Sequence, residues 1–171
     1  TISNQFFSRV IRGIQSVARQ NGYHVMLGIT ESDREAEREY VEMARRKLVD
    51  GLIFLHSALL ADEIDSLAAG CPIVFANEFV SNAHVSTVSI DNRRAGYDAA
   101  VFLLENNHRR IAFVSAGALY GSSSLRQEGY CAALLAAGID PGSQPFLYKG
   151  LTFKAGRRAA NSLLQMGSLP D

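Results

Sequence analysis

Apolar and polar positions along the chain follow two periods in turn. From Phe6 to Arg19, the residues Phe6, Phe7, Val10, Ile11, Ile14, Val17 and Ala18 recur at helical spacing. Ser3 or Asn4 stands where an N-cap belongs and Gly22 lies just past the end, so an amphipathic helix is predicted there. Tyr23 to Ile29 reads as a short strand, and Asp33 to Lys47 as a charged helix with a narrow stripe of Ala36, Tyr40, Met43 and Ala44. Its remaining charged residues, among them Arg34, Glu35, Glu37 and Arg38, are assigned to a solvated face, with acids and bases interleaved. The alternation continues through strands at Gly51 to Leu55, Pro72 to Ala76, Val85 to Ile90 and Ile111 to Ser115. Helices at Ala61 to Ala69 and Asn92 to Glu105 fall between them. A Gly/Ser-rich stretch, Gly117 to Ser124, precedes a helix at Leu125 to Ala137, a strand at Phe146 to Tyr148 and a helix at Phe153 to Leu164. Strands apolar on both faces, separated by helices, predict an α/β fold with parallel sheets covered on both sides.

The two ends qualify this picture. The first helix opens directly from Thr1-Ile2 with no strand before it, and Gly167 to Pro170 resembles a connection leading into another strand. The expectation is therefore a part of a longer chain.

Composition narrows the function classes. Across 171 residues, 17 Lys and Arg balance 17 Asp and Glu. A neutral chain has no bulk field with which to hold nucleic acid or anionic lipid. Fourteen Gly, four Pro and 47% apolar residues exclude a disordered or collagenous chain. No apolar run approaches the roughly 18 residues of a membrane span. Cys71 and Cys131 form no CxxC pair and have no histidine at ligand spacing, so both are expected to be small core residues in a reducing compartment.

In open parallel sheets ligands gather at the carboxyl ends of strands. That rule selects Thr30 to Ser32, Leu55 to Ser57, Ala76 to Phe79 and Ser115 to Gly117, with the start of the first helix at Ser3 to Phe7. Aromatic rings, amides, hydroxyls and the carboxylate of Glu78 fall together there, a mixture suited to a small polar ligand. Enzyme templates are not met. Gly117 to Ser124 has the glycines of a phosphate loop but not its lysine, and there is no GxSxG elbow, HExxH or paired-carboxylate signature. His24 and His108 are expected to be structural, and His56, at a strand end, is a candidate for ligand contact. No catalytic residue, metal site or cofactor is expected.

A specific resemblance rests on ordered motifs. Ile2-Ser3-Asn4-Gln5-Phe6-Phe7, Ile11-Arg12-Gly13-Ile14, Val49-Asp50-Gly51-Leu52-Ile53 and Ile90-Asp91-Asn92 resemble the effector-binding domain of LacI/GalR family regulators. Gly96-Tyr97, His108 to Phe113 and Arg126-x-x-Gly129-Tyr130 continue it in the same order. Within the family, Ala76 to Phe79, Thr87 to Asn92 and Leu151 to Gly156 are most similar to the cytidine-responsive repressors. The resemblance implies a periplasmic-binding-protein-like fold, doubly wound parallel sheets in two subdomains. Residues 1–115 would form the first, without its first strand, and residues 116–171 an incomplete second. It also implies a cytoplasmic homodimeric repressor with no membrane association and no enzymatic activity. Such a repressor binds a small effector, a nucleoside such as cytidine or alternatively a sugar, between its subdomains. It binds operator DNA through a helix-turn-helix headpiece that this chain does not contain. Carried over by position, Phe6, Phe7, Asn77, Arg126 and Phe153 would face the effector. Phe6 and Phe7 also lie on the first helix's apolar stripe, so one of them is expected to pack into a core; for Arg126 the competing role is a surface salt bridge with Glu128 or a neighbour. The alternative is a periplasmic sugar-binding receptor of an ABC-type uptake system, which shares the fold.

Overall fold

The computed structural model describes residues 5–78, 80, 82–117, 121–148, 150 and 152–171. The expected cap residues Ser3 and Asn4, the rim aromatic Phe79, and Ala118 to Tyr120 of the Gly/Ser-rich stretch lie outside the described residues. Among the described residues, six α-helices and five strands follow in the order α1 Gln5–Gln20, α2 Arg34–Arg45, β1 Leu52–Phe54, α3 Ala61–Ala68, β2 Ile73–Ala76 and β3 Ser86–Val88, then α4 Asn92–Glu105, β4 Phe113–Ser115, α5 Gly121–Ala136, β5 Phe146–Tyr148 and α6 Phe153–Leu164. The strands form two sheets, β1-β2-β3 and β4-β5. The β1-β2 ladder is parallel with Ile53 opposite Val74, and the β4-β5 ladder is parallel with Val114 opposite Leu147.

Chain contacts divide the molecule into two compact units, residues 1–76 with 80–87, and residues 77–79 with 88–171. Helix α4 packs in the second unit. In the first unit, Val41 and Ala44 of α2, Leu59, Ile64 of α3, Cys71, Ile73 and Phe75 form the core. Phe54 and Phe75 stack across β1 and β2 with ring centroids 5.5 Å apart. Arg34 and Arg38 of α2 both pair with Glu63 of α3, whose carboxylate also accepts the Leu60 N–H. That backbone bond, with Arg38 next, holds the Glu63 carboxyl below its usual range.

In the second unit, Ala100 of α4, Ile111, and Tyr130, Ala133 and Leu134 of α5 form a separate core, with Cys131 packed against it. Phe113, Tyr130 and Phe146 meet as a three-ring cluster. The Tyr130 hydroxyl donates to the Ile111 carbonyl at 2.7 Å, so its polar end is satisfied while the ring is buried.

Local chemistry accounts for the helix ends. Asp33 accepts the Glu35 and Ala36 N–H groups, Asp91 that of Arg94, and Thr152 that of Ala155, capping α2, α4 and α6. α1 closes with Gly22 at φ +80° while the Tyr23 N–H returns to the Ala18 carbonyl. That is the left-handed terminator a glycine supplies without a Cβ clash.

Three expectations are corrected. Tyr23 to Ile29 forms no strand: it pairs with nothing among the described residues, and Tyr23, Met26, Leu27 and Ile29 stand exposed. A single extended segment without a ladder partner is not stabilised as a strand. α1 buries none of its described residues, so neither Phe6 nor Phe7 is a core residue. Glu37 is buried rather than solvated, because it lies at i−4 and i−7 from Val41 and Ala44 on the inward face of α2.

Candidate functional site

The polar groups of the second unit converge on the first two turns of α5. β2 ends at Ala76, and Asn77 takes φ +82°, a left-handed turn tolerated by an asparagine, with its N–H donating to the Val88 carbonyl at 2.8 Å. The turn sends Glu78 inward, where it is only 7% exposed. Its carboxylate accepts the Ser122 hydroxyl at 2.5 Å on one oxygen and the Ser122 N–H at 3.2 Å on the other, with the Asn77 amide at 3.4 Å from the first. A carboxylate 44 residues away in sequence therefore caps the start of α5, matching the helix dipole. α5 is described from Gly121, four residues before the Leu125 expected from periodicity.

One turn further along α5, Arg126 donates from Nε to the Asn92 side-chain oxygen at 2.8 Å, and the buried Asn92 amide donates in turn to the Ile90 carbonyl at 3.2 Å. The competing pairing of Arg126 with Glu128 is not what forms; Glu128 lies 3.9 Å from Arg93 instead. α4 and α5 approach closely enough that Gly96 meets the Arg126 carbonyl and Gly129 meets the Arg93 carbonyl, with no room for a Cβ at either. Asn77, Glu78 and Ser122 thus form one hydrogen-bonded set and Asn92 and Arg126 another, Ser122 and Arg126 lying one turn apart on α5. Phe153, at the first position of α6, presents its ring to solvent at 90% exposure.

In the first unit, Phe6 and Phe7 meet edge to face, with centroids 5.3 Å apart and planes at 75°. The loop after β1 is organised by Glu37. Its carboxylate accepts the Ser57 hydroxyl at 2.6 Å and the Ala58 N–H at 3.1 Å, while the Ser57 oxygen accepts the Leu59 N–H.

Two surface hollows among the described residues are lined by none of these side chains. One of about 520 Å³ is bounded by Arg12, Gln15, Ser16, Arg19 and Gln20, all on the face of α1, and one of about 270 Å³ is an open groove between α4 and α5. A hollow lined by one helix has no converging walls and makes a poor ligand site. Among the described residues no set of three or more His, Cys, Asp or Glu side chains could hold a metal ion, and no helix is long and apolar enough to cross a membrane. Hydrogen bonding to a polar small molecule is the chemistry these groups offer.

Sequence reasoning selected Asn77 and Arg126 and left Glu78 without a role. It gave no site role to Asn92, although Ile90-Asp91-Asn92 is one of the resembling motifs, nor to Ser122, which reads as loop. Glu37 carried a signal in its spacing from Val41 and Ala44.

Comparison with known proteins identifies relatives. Residues 2–171 match the model of periplasmic binding proteins and the sugar binding domain of the LacI family. The HTH-type transcriptional repressor CytR of Escherichia coli K12 is 34% identical over 99% of this chain and 50% of its own length. Catabolite control protein A of Priestia megaterium is 29% identical over 99% of this chain and 52% of its own. Among solved structures, an uncharacterized protein from Actinobacillus succinogenes superimposes with a TM-score of 0.88 at 30% identity, over 99% of this chain and 62% of that one. The Cra regulator of Pseudomonas putida in complex with fructose 1-phosphate gives 0.83 at 25%, over 100% and 64%. The chain spans about half the length of the curated relatives it matches.

Proposed function

Because the chain belongs to the family of periplasmic binding proteins and LacI-type sugar-binding domains, we propose that it senses a small effector for a transcriptional repressor. The fold is the α/β, periplasmic-binding-protein-like one of that family, with parallel strands in two sheets. The observation that carries the reading is the 34% identity to a helix-turn-helix repressor across 99% of this chain. The effector is a neutral nucleoside such as cytidine. Asn77 and Arg126 are its hydrogen-bonding groups, suited to a ribose or a base edge. Phe6, Phe7 and Phe153 are the aromatic candidates, each to be tested by its own substitution. The protein acts in the cytoplasm as a homodimer, and effector binding favours one of two states that differ in operator affinity.

Operator binding by the full-length protein, followed by fluorescence anisotropy, tests this. Saturating cytidine should change the operator Kd by at least about fivefold, and Arg126→Ala should abolish the change. An operator Kd that does not respond to any nucleoside would refute the nucleoside reading. The family's inclusion of periplasmic binding proteins supports a second reading, a sugar-binding receptor. That reading predicts sugar binding and no operator affinity in the same assay.

A further inference from the structure

Glu78 remains unused by that reading. It is a nearly buried carboxylate whose bonds go to Ser122 and Asn77, and no Lys, Arg or His pairs with it among the described residues. Its position has two electrostatic consequences. A helix N-terminus ordinarily draws phosphate to its unpaired N–H groups. At α5 the Ser122 N–H and hydroxyl are already donated to Glu78, so these donors are spent and a negative charge stands in their place.

The second consequence concerns Arg126. Ser122 and Arg126 are four residues apart on one face of α5, about 6 Å along the axis. The bond to Asn92 uses only Nε, one of the five N–H donors of the guanidinium, and Asn92 is neutral. Taken alone, that cation would favour an anionic ligand. An anionic group that Arg126 held within roughly 6 to 8 Å of the Glu78 carboxylate would meet a like charge. At an effective dielectric near 20, that is a penalty of roughly 30- to 100-fold in affinity. A hydroxyl-bearing neutral ligand meets no such penalty and can donate toward the same carboxylate.

We propose that Glu78 is a charge filter, a specificity residue that makes the effector site accept neutral polyhydroxylated ligands and reject their phosphorylated forms. The inference rests on the effector-binding reading above, and its test separates the two.

Calorimetric titration of the full-length protein would use two matched pairs, cytidine with cytidine 5′-monophosphate and ribose with ribose 5-phosphate. The parent should prefer the neutral member of whichever pair binds by at least about tenfold. Glu78→Gln keeps the shape and an acceptor for Ser122 but removes the charge, and it should cut that preference by tenfold or more. Ser122→Ala removes the capping bond and retains the carboxylate. It should lower the melting temperature while leaving the preference intact, which distinguishes charge selection from a structural cap. A preference unchanged in Glu78→Gln, or lost equally in Ser122→Ala, would overturn the filter while leaving the effector reading standing. Failure of all four ligands to bind the parent would overturn both.

Discussion

Gly96 and Gly129 allow α4 and α5 to cross with their backbones nearly touching. A Cβ added at Gly129 would stand 1.9 Å from the Arg93 carbonyl oxygen and 2.7 Å from the Tyr97 nitrogen. The first distance is more than 1 Å inside the 3.0 Å below which real Cβ contacts essentially do not occur, and both obstructing atoms are backbone. No side chain can rotate out of the way, so Gly129→Ala must push the helices apart. Doing so loosens Ala100, Ala133, Leu134 and Tyr130, the buried residues between and beside them. Overpacking typically costs about 1 to 3 kcal/mol, and backbone obstruction belongs at the upper end. Against it, replacing a helical glycine by alanine contributes about 1 kcal/mol of helix propensity. The net loss is about 2 kcal/mol, which lowers the melting temperature of a chain this long by roughly 4 to 8 °C. Gly13→Ala is the matched control: it lies in α1, and its added Cβ meets nothing within 4 Å. It should stabilise by up to about 1 kcal/mol. Thermal and urea melts followed by circular dichroism would compare both variants with the parent. If Gly129→Ala melted at or above the parent, the close-crossing argument would be wrong.

Further outcomes follow from other buried or paired groups. Tyr130→Phe leaves the Ile111 carbonyl without its 2.7 Å donor and should cost about 1 to 2 kcal/mol in the same melts. Burial pushes the Tyr130 phenol up to about 12 from 10.0. Its contribution to stability is therefore complete below pH 10 and lost as pH rises toward 12, and ultraviolet titration should show one tyrosine ionising late. His84 and Asp65 form a 2.7 Å pair on the surface of the first unit, which raises the imidazole above its ordinary 6.5 and lowers the carboxyl below 3.8. The His84 share is present below pH 6.5 and lost as pH rises through the raised value, and the Asp65 share is lost as pH falls through the lowered one. In Asp65→Asn, the histidine's proton-resonance titration should move back toward 6.5; an unmoved titration would show that the pair does not exist in solution.

The order of elements was legible because each helix or strand carries its own period. Asn92–Glu105, Phe146–Tyr148 and Phe153–Leu164 have the limits that spacing and caps gave them. What failed depended on partners distant in sequence. Tyr23 to Ile29 has a strand's composition but no neighbour with which to form a ladder among the described residues. The first turn of α5 is tied to Glu78, 44 residues upstream of the Ser122 that donates to it. Three consecutive serines read as loop until that acceptor is in place. Glu37 was misassigned because its charge outweighed its position, although Ser57 and Ala58 supply the donors that make burial tolerable. In the candidate site, Asn77 and Arg126 were selected by resemblance, whereas the bonds of Asn77 to Glu78, of Glu78 to Ser122 and of Arg126 to Asn92 join positions that no local spacing pattern links.

The effector proposed for this chain is a small neutral molecule of the nucleoside class. Calorimetric titration of the full-length protein with cytidine, adenosine, ribose and a hexose tests it most directly. Saturable heat with at least one nucleoside, lost in Arg126→Ala, is the expected result. Heat with the hexose and none with either nucleoside would contradict it.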